Sequence, residues 1–306
     1  MYSDQLVAEK GGGLTLDFGR LITAMVTPFN KKMEVDFVRT KQLVEHLIQT
    51  GTETIVVAGT TGESPTLSTE EKLQLFEKVL DFTQGRAKVI AGTGSNDTRS
   101  SITLTKKAEA IGVDGVMIVA PYYNKPSQDG IYQHFKAIAA ETQLPIMIYN
   151  IPGRTGINIQ TDTIVKLSQI ENIVAVKEAS GDLSQMSEIL AKTSENFYLY
   201  SGDDKLTLPV LSIGGHGVVS VASHVVGNQM KEMIDAYFTG DVKKAASYHQ
   251  KLLPLFEGIF ITSNPVPIKE LLNEIGIQVG SVRLPLVPAK KEQSEIVRSI
   301  YHNIIM

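Results

Sequence analysis

A chain of 306 residues, 42% of them hydrophobic, can bury a large core within one domain of the α/β barrel kind. Its formal net charge of −4, with no long basic run, argues against nucleic acid or an anionic membrane as partner. Without a cysteine there is no thiol catalysis, disulfide or thiolate metal site, and no apolar run is long enough for a membrane span.

Residues 1–16 contain the triplet Gly11-Gly12-Gly13 and lack the apolar core of a signal peptide. They are expected to be a disordered leader outside the fold, and the absence of disulfides fits a cytoplasmic protein. Apolar runs rich in Val and Ile then recur at 21–29, 54–59, 87–94, 115–123, 145–152, 173–180, 197–204 and 217–223. They are nearly continuous rather than alternating, as strands buried on both faces are. Stretches of helical period lie between them, for example 36–50, 68–84, 98–111, 128–142 and 161–168. Ser68-Thr69-Glu70-Glu71 has the form of a capping box, and Gly51 and Gly112 stand where helix C-caps belong. Strand and helix in alternation, eight times over, predict an α/β fold of the (β/α)8 TIM-barrel type across 17–240. A doubly wound sheet would need a glycine-rich phosphate turn after the first strand, and Val26-Thr27-Pro28-Phe29 does not supply one. Helical patterns near 242–260, 265–275 and 290–306 predict a C-terminal helical appendage over 241–306.

One residue breaks the pattern. In the sixth run, Lys177 occupies a position where a buried sheet normally has valine. An ammonium is costly inside a protein unless it is paired or neutral, and a neutral amine is a nucleophile toward carbonyls. The plainer alternative is a strand-end lysine that bends out to water. In a barrel of this type the chemistry gathers at the carboxyl ends of the strands. The second run ends there in Gly59-Thr60-Thr61-Gly62-Glu63, whose hydroxyls and backbone N–H groups suit a carboxylate. The fourth leads into Pro121-Tyr122-Tyr123-Asn124, the fifth into Tyr149-Asn150-Ile151-Pro152-Gly153-Arg154, and the seventh into Ser201-Gly202-Asp203-Asp204. An amine, phenols, hydroxyls and an arginine on one rim suit imine chemistry on a keto acid. The phenol can shuttle protons, and the guanidinium can bind a second carboxylate.

Other constellations are weaker. The six histidines, His46, His134, His216, His224, His249 and His302, show no metal-ligand spacing, so no metal site is expected. His46 and His134 fall in helical patterns and read as packing or surface residues. Ile213-Gly214-Gly215-His216-Gly217 precedes the eighth strand, at the end of the barrel away from the chemistry, and reads as a turn. Asp203-Asp204 and Glu70-Glu71 read as solvated or capping carboxylates. Glu178 follows Lys177 directly and should face away from it.

These four segments (59–63, 149–154, 176–180 and 201–204) closely resemble the pyruvate-dependent class I aldolases and lyases. Within that superfamily the chain is similar to the dihydrodipicolinate synthase family over 18–286, including Asn264-Pro265-Val266-Pro267-Ile268-Lys269 and Arg283-Leu284-Pro285-Leu286. The resemblance implies that Lys177 forms an imine with pyruvate, with Tyr149, Thr60 and Tyr123 as a proton relay. Tyr123 would be donated to a neighbouring subunit. Thr61 would hold the pyruvate carboxylate, Arg154 the carboxylate of L-aspartate 4-semialdehyde, and Gly202 and Val219 would offer backbone carbonyls. It implies the entry step to diaminopimelate and lysine, no cofactor, and a homotetramer built as a dimer of dimers, or a dimer. It also implies an effector site for lysine at Ser64, Pro65, Thr69, Lys72, Asn96, Ser100 and Tyr122. Lysine-sensitive members tend to carry histidine at the place of Lys72 and an acidic residue at that of Ser100, so the site is expected to be degenerate here. The rivals are a sister enzyme, such as N-acetylneuraminate lyase or a keto-deoxy-sugar-acid aldolase, and an inactive barrel that senses keto acids. Arg154 with Tyr122 and Tyr123 favours the first reading over the sisters, and the complete set Lys177, Tyr149, Thr60 and Tyr123 speaks against the sensor.

Overall fold

The computed structural model describes residues 17–305, so the expected leader lies outside the described residues. Eight parallel strands, β1 (Leu21–Ala24), β2 (Thr54–Val57), β3 (Lys88–Gly92), β4 (Gly115–Val119), β5 (Ile146–Asn150), β6 (Ile173–Glu178), β7 (Tyr198–Ser201) and β8 (Gly217–Ser220), close into a barrel in chain order. Around them run α1 (Phe37–Gln49), α2 (Thr69–Thr83), α3 (Thr98–Ile111), α4 (Gln128–Ala139), the single turn α5 (Pro152–Thr155), α6 (Thr161–Leu167), α7 (Leu183–Lys192), the short α8 (Thr207–Ser212) and α9 (Ser223–Phe238). This is the TIM barrel that the alternation predicts.

Every strand is shorter than its apolar run, and the reasons are local. After β1 the Val26 N–H is taken by the His224 ring at 3.1 Å instead of by a neighbouring strand, and Pro28 has no N–H to give. β2 stops where Ala58 adopts a left-handed φ of 54°. That turn carries the Ala58 carbonyl over Gly92, where a Cβ would lie 2.4 Å from the oxygen, so only glycine fits the end of β3. The apolar tails of the runs are therefore rim loops, and the rim is where functional groups stand.

The core has two layers. Phe18, Ile22, Val56, Ile90, Met117, Met147, Ala175, Tyr200 and Val219 fill the barrel interior. A second cluster, with Leu43, Leu47, Phe76, Val79, Phe135, Ile138 and Ile189, lies between the strands and the helices. Each fully buried aliphatic or aromatic side chain contributes about 1.5–3 kcal/mol. Helix starts are defined by side chains: Asp36, Ser68, Asp97, Ser127 and Asp182 accept backbone N–H groups, and Ser68 with Glu71 completes the capping box.

Beyond the barrel, α10 (Val242–Gly258), α11 (Val266–Glu274) and α12 (Lys291–Ile305) form the helical C-terminal part. α10 lies on α9, and α12 buries Val297 and Ile304 against its neighbours. We propose 17–240 and 241–306 as barrel and appendage, with one qualification. α11 sends Lys269 into the barrel rim, so the two regions share buried contacts.

Candidate active site

Lys177 sits near the end of β6, paired with Tyr149 on β5 and Tyr200 on β7. The strand alternates, so Ala175 and Lys177 face the barrel axis while Val176 and Glu178 face the helices. Only 5% of Lys177 is exposed, and its Nζ lies 4.2 Å from the centre of the Tyr149 ring. Burial pushes the amine down from 10.5 to about 7. The Asp204 carboxylate pulls it up in part, and the Arg154 guanidinium pushes it further down. A large share of the amine is therefore neutral near pH 7, which a nucleophile requires. Glu178 does face away: it accepts from Asn150 Nδ2 at 2.9 Å and the Ser180 N–H at 2.7 Å, and burial raises its carboxyl.

Tyr149 is nearly buried. Burial pushes its phenol up to about 12, against a lowering hydrogen bond from Thr60 and the Arg154 charge. A phenol with that value stays protonated and can donate. Thr60 and Thr61 stand on the turn after β2, and the structure shows why that turn holds its shape. Glu63 is buried in a left-handed conformation at φ 57°. Its carboxylate takes Lys269 Nζ at 2.6 Å and the Arg283 N–H at 2.8 Å. Asn264 Nδ2 donates to Thr61 Oγ1 at 2.9 Å, and the Thr27 hydroxyl donates to the Gly62 carbonyl at 2.7 Å. Arg283 closes the arrangement with two hydrogen bonds to Glu71, at 2.8 and 2.5 Å, and the Phe29 ring lies 4.3 Å from both cations. Burial lowers Lys269 to about 8 while Glu63 pulls it up, so the ammonium is mostly retained at neutral pH. Sequence reasoning missed Lys269, Asn264 and Arg283 as supports of the turn. Their partners lie some 200 residues away, and the one local signal was Glu63 itself, a carboxylate in a glycine-rich turn.

Asp204 requires a correction. It is neither solvated nor a cap but fully buried, accepting from Ser220 Oγ at 2.5 Å and from the N–H groups of Val221 and Ala222 at 3.1 and 3.0 Å. It ties the end of β7 to the turn after β8, and burial raises its carboxyl to about 6. Asp203 is half-buried and also raised by burial, whereas Glu70 is exposed and Glu71 serves both the capping box and Arg283. Gly202 follows β7, with its N–H on the Glu178 carbonyl at 2.7 Å, and Val219 is buried within β8.

Arg154 stands on α5, exposed, with its charge felt by both Lys177 and Tyr149. Tyr123 is 87% exposed, held at a left-handed φ of 73°. This chain alone does not bring it to Lys177. His134 and His224 are buried and neutral, lowered to about 4 by burial, and His46 Nε2 donates to the His224 carbonyl at 2.8 Å. His216 lies at the opposite end of the barrel against Asp17.

Two cavities matter. One of about 560 Å³ opens at the amino-terminal end, lined by Leu190, Phe197, Gly214 and His216, far from the amine. The other, of about 270 Å³, lies at the carboxyl ends of β2 to β5. It brings together Thr60, Tyr149 and Arg154 with Ser64, Pro65, Lys72 and Tyr122. The remaining expected effector residues are outside its lining: Thr69 and Ser100 are exposed at the starts of α2 and α3, and Asn96 accepts Asn124 Nδ2 through its carbonyl at 2.9 Å.

A sequence model of the dihydrodipicolinate synthetase family matches residues 17–304. The 4-hydroxy-tetrahydrodipicolinate synthase of Bacillus subtilis is 58% identical over 279 residues, 91% of this chain and 96% of its own length. Among solved structures, a dihydrodipicolinate synthase from Bacillus anthracis superposes with a TM-score of 0.93 at 55% identity, covering 94% of this chain and 98% of its own. The dihydrodipicolinate synthase of Cyanidioschyzon merolae, solved with lysine bound, gives 0.92 at 48% identity, again covering 94% and 98%.

The Glu63–Lys269 pair yields a prediction. Lys269→Met leaves a buried carboxylate unpaired, a loss of about 3–5 kcal/mol. Thermal unfolding should shift down by roughly 10 °C. The double variant Glu63→Gln with Lys269→Met should recover much of that loss in calorimetry. An unchanged melting temperature in the single variant, or full additivity in the double, contradicts the assignment.

Proposed function

The chain belongs to the dihydrodipicolinate synthetase family, and we propose that it condenses pyruvate with L-aspartate 4-semialdehyde, giving 4-hydroxy-tetrahydrodipicolinate for diaminopimelate and lysine synthesis. The observation that carries this reading is a buried amine lowered to about 7, 4.2 Å from a phenol ring, on a rim with an arginine.

The steps follow from those groups. The neutral Lys177 amine attacks the pyruvate ketone. Tyr149 delivers a proton to the departing hydroxyl, and water leaves as the imine forms. Loss of a methyl proton turns the imine into an enamine, whose carbon attacks the aldehyde of the second substrate. The amine of that substrate then adds to the imine carbon and displaces Lys177. One water leaves in total, and the enzyme is regenerated. Thr60 relays protons to Tyr149, Thr61 and its turn hold the pyruvate carboxylate, and Arg154 binds the semialdehyde carboxylate at the mouth. Gly202 and Val219 offer carbonyls beside the substrate. The lysine itself is the electron sink, so the steps call on no cofactor.

Tyr123 completes the relay from a neighbouring subunit. Its exposure and its held backbone support that role, which makes a dimer the smallest active unit and a tetramer, as a dimer of dimers, the full assembly. We place the enzyme in the cytoplasm with its small-molecule substrates; no helix among the described residues is long and apolar enough to cross a membrane.

Purified protein should form product from pyruvate and the semialdehyde and leave N-acetylneuraminate intact. Arg154→Ala should raise the KM for the semialdehyde roughly 10- to 100-fold, the worth of a hydrogen bond to a charged group. The KM for pyruvate should change little. Cleavage of N-acetylneuraminate, or an equal rise in both KM values, contradicts the assignment.

The effector residues support insensitivity to L-lysine. Lys72 sets a like charge in the lining, and Ser100 supplies no carboxylate. The nearby Asp97 carboxylate is engaged in capping α3, accepting the Ser100 N–H at 2.9 Å and its hydroxyl. With pyruvate saturating, turnover should stay constant as lysine is titrated into the millimolar range. Partial inhibition with a sub-millimolar midpoint contradicts this.

A further inference from the structure

The cavity beside the amine carries one positive charge more than the synthase steps use. Its lining contains two cations, Arg154 and Lys72, and no Asp or Glu. Lys72 is half-buried on the first turns of α2, and it forms no ion pair or side-chain hydrogen bond among the described residues. Other withdrawn cations of the rim are matched: Lys269 by Glu63, Arg283 by Glu71. Burial is the one influence on the Lys72 amine and lowers it, whereas Glu141 raises the paired Lys106 and Glu188 raises the paired Lys192. An ammonium withdrawn from water without a counter-charge is completed by an anion.

The surroundings fit one. The hydroxyl-bearing residues Ser64, Ser95 and Tyr122 share the lining with Lys72. At about 270 Å³ the space is below the usual range for drug-sized ligands and suits a small acid. We propose that the Lys72 lobe is a carboxylate subsite, so that the cavity binds small dicarboxylates with one carboxylate at Lys72 and the other at Arg154. The Arg154 half rests on the function proposed above; the Lys72 half rests on the cavity alone. Such a ligand occupies the place of the semialdehyde without touching Lys177, which is not among the residues lining the cavity.

Calorimetric titration of the full chain with glutarate tests this, with valerate as the monoacid of equal length. Glutarate should bind and valerate should bind at least tenfold more weakly. Lys72→Met should weaken glutarate about tenfold or more, the worth of one charged hydrogen bond. Lys72→Arg should restore it. Should Lys72→Met fold poorly by circular dichroism, Lys72→Gln replaces it with the same expectation. Wild-type affinity in the folded neutral variant, equal binding of valerate, or no glutarate binding to the wild-type chain overturns the proposal. The readout needs no turnover, so a failed synthase assay and a failed subsite are separate results.

Discussion

Everything at the carboxyl end of this barrel is arranged around the cost of burying an amine. Lys177 falls from 10.5 to about 7 because its charged form is desolvated. The folded chain therefore binds fewer protons than the unfolded chain between those values. Stability rises with pH through that window, and the burial penalty is greatest below pH 7, on the order of 5 kcal/mol. A protein tolerates such a loss where function requires it. Asp204 limits the loss by supplying a negative field, and it is itself anchored by Ser220 and two backbone N–H groups. The amine is thus lowered far enough to be neutral in part, yet its proton remains within reach of exchange.

The second requirement is a rim that does not move. The Thr60–Thr61 turn is irregular, with left-handed residues at Ala58 and Glu63 on either side. Such backbone is retained only where its surroundings over-determine it. Here the surroundings are a buried ion pair, an amide on Thr61 and an arginine clamp, all from beyond the barrel. The C-terminal helices are therefore part of the site's support rather than a cover. The geometry also explains why this turn can be rich in glycine and hydroxyls without being loose.

Much of this was legible in the residues. The eight apolar runs and their helices predicted the barrel because strands buried on both faces leave an unbroken Val and Ile signature. Lys177 stood out for the same reason, as a charge within such a run. Strand ends were overestimated, since apolarity continues into rim loops such as Val26–Phe29 while the hydrogen-bond ladder does not. Asp204 was misread because two adjacent acidic residues resemble a solvated loop, and its partners at 220–222 become neighbours only when β8 pairs with β7. Lys269 and Asn264 carry no local mark of their role: their pairing with Glu63 and Thr61 is a property of tertiary structure. Tyr123 illustrates a different limit, because the role proposed for it depends on a second chain.

A neutral, buried Lys177 acting as the nucleophile can be trapped by reducing the protein with borohydride in the presence of pyruvate at pH values on either side of 7 and mapping the adduct by peptide mass spectrometry. The account predicts a single reduced adduct on Lys177, forming faster as pH rises through about 7 and then levelling off. An adduct on another lysine, no adduct in protein that turns over, or a rate indifferent to pH across that range would contradict it.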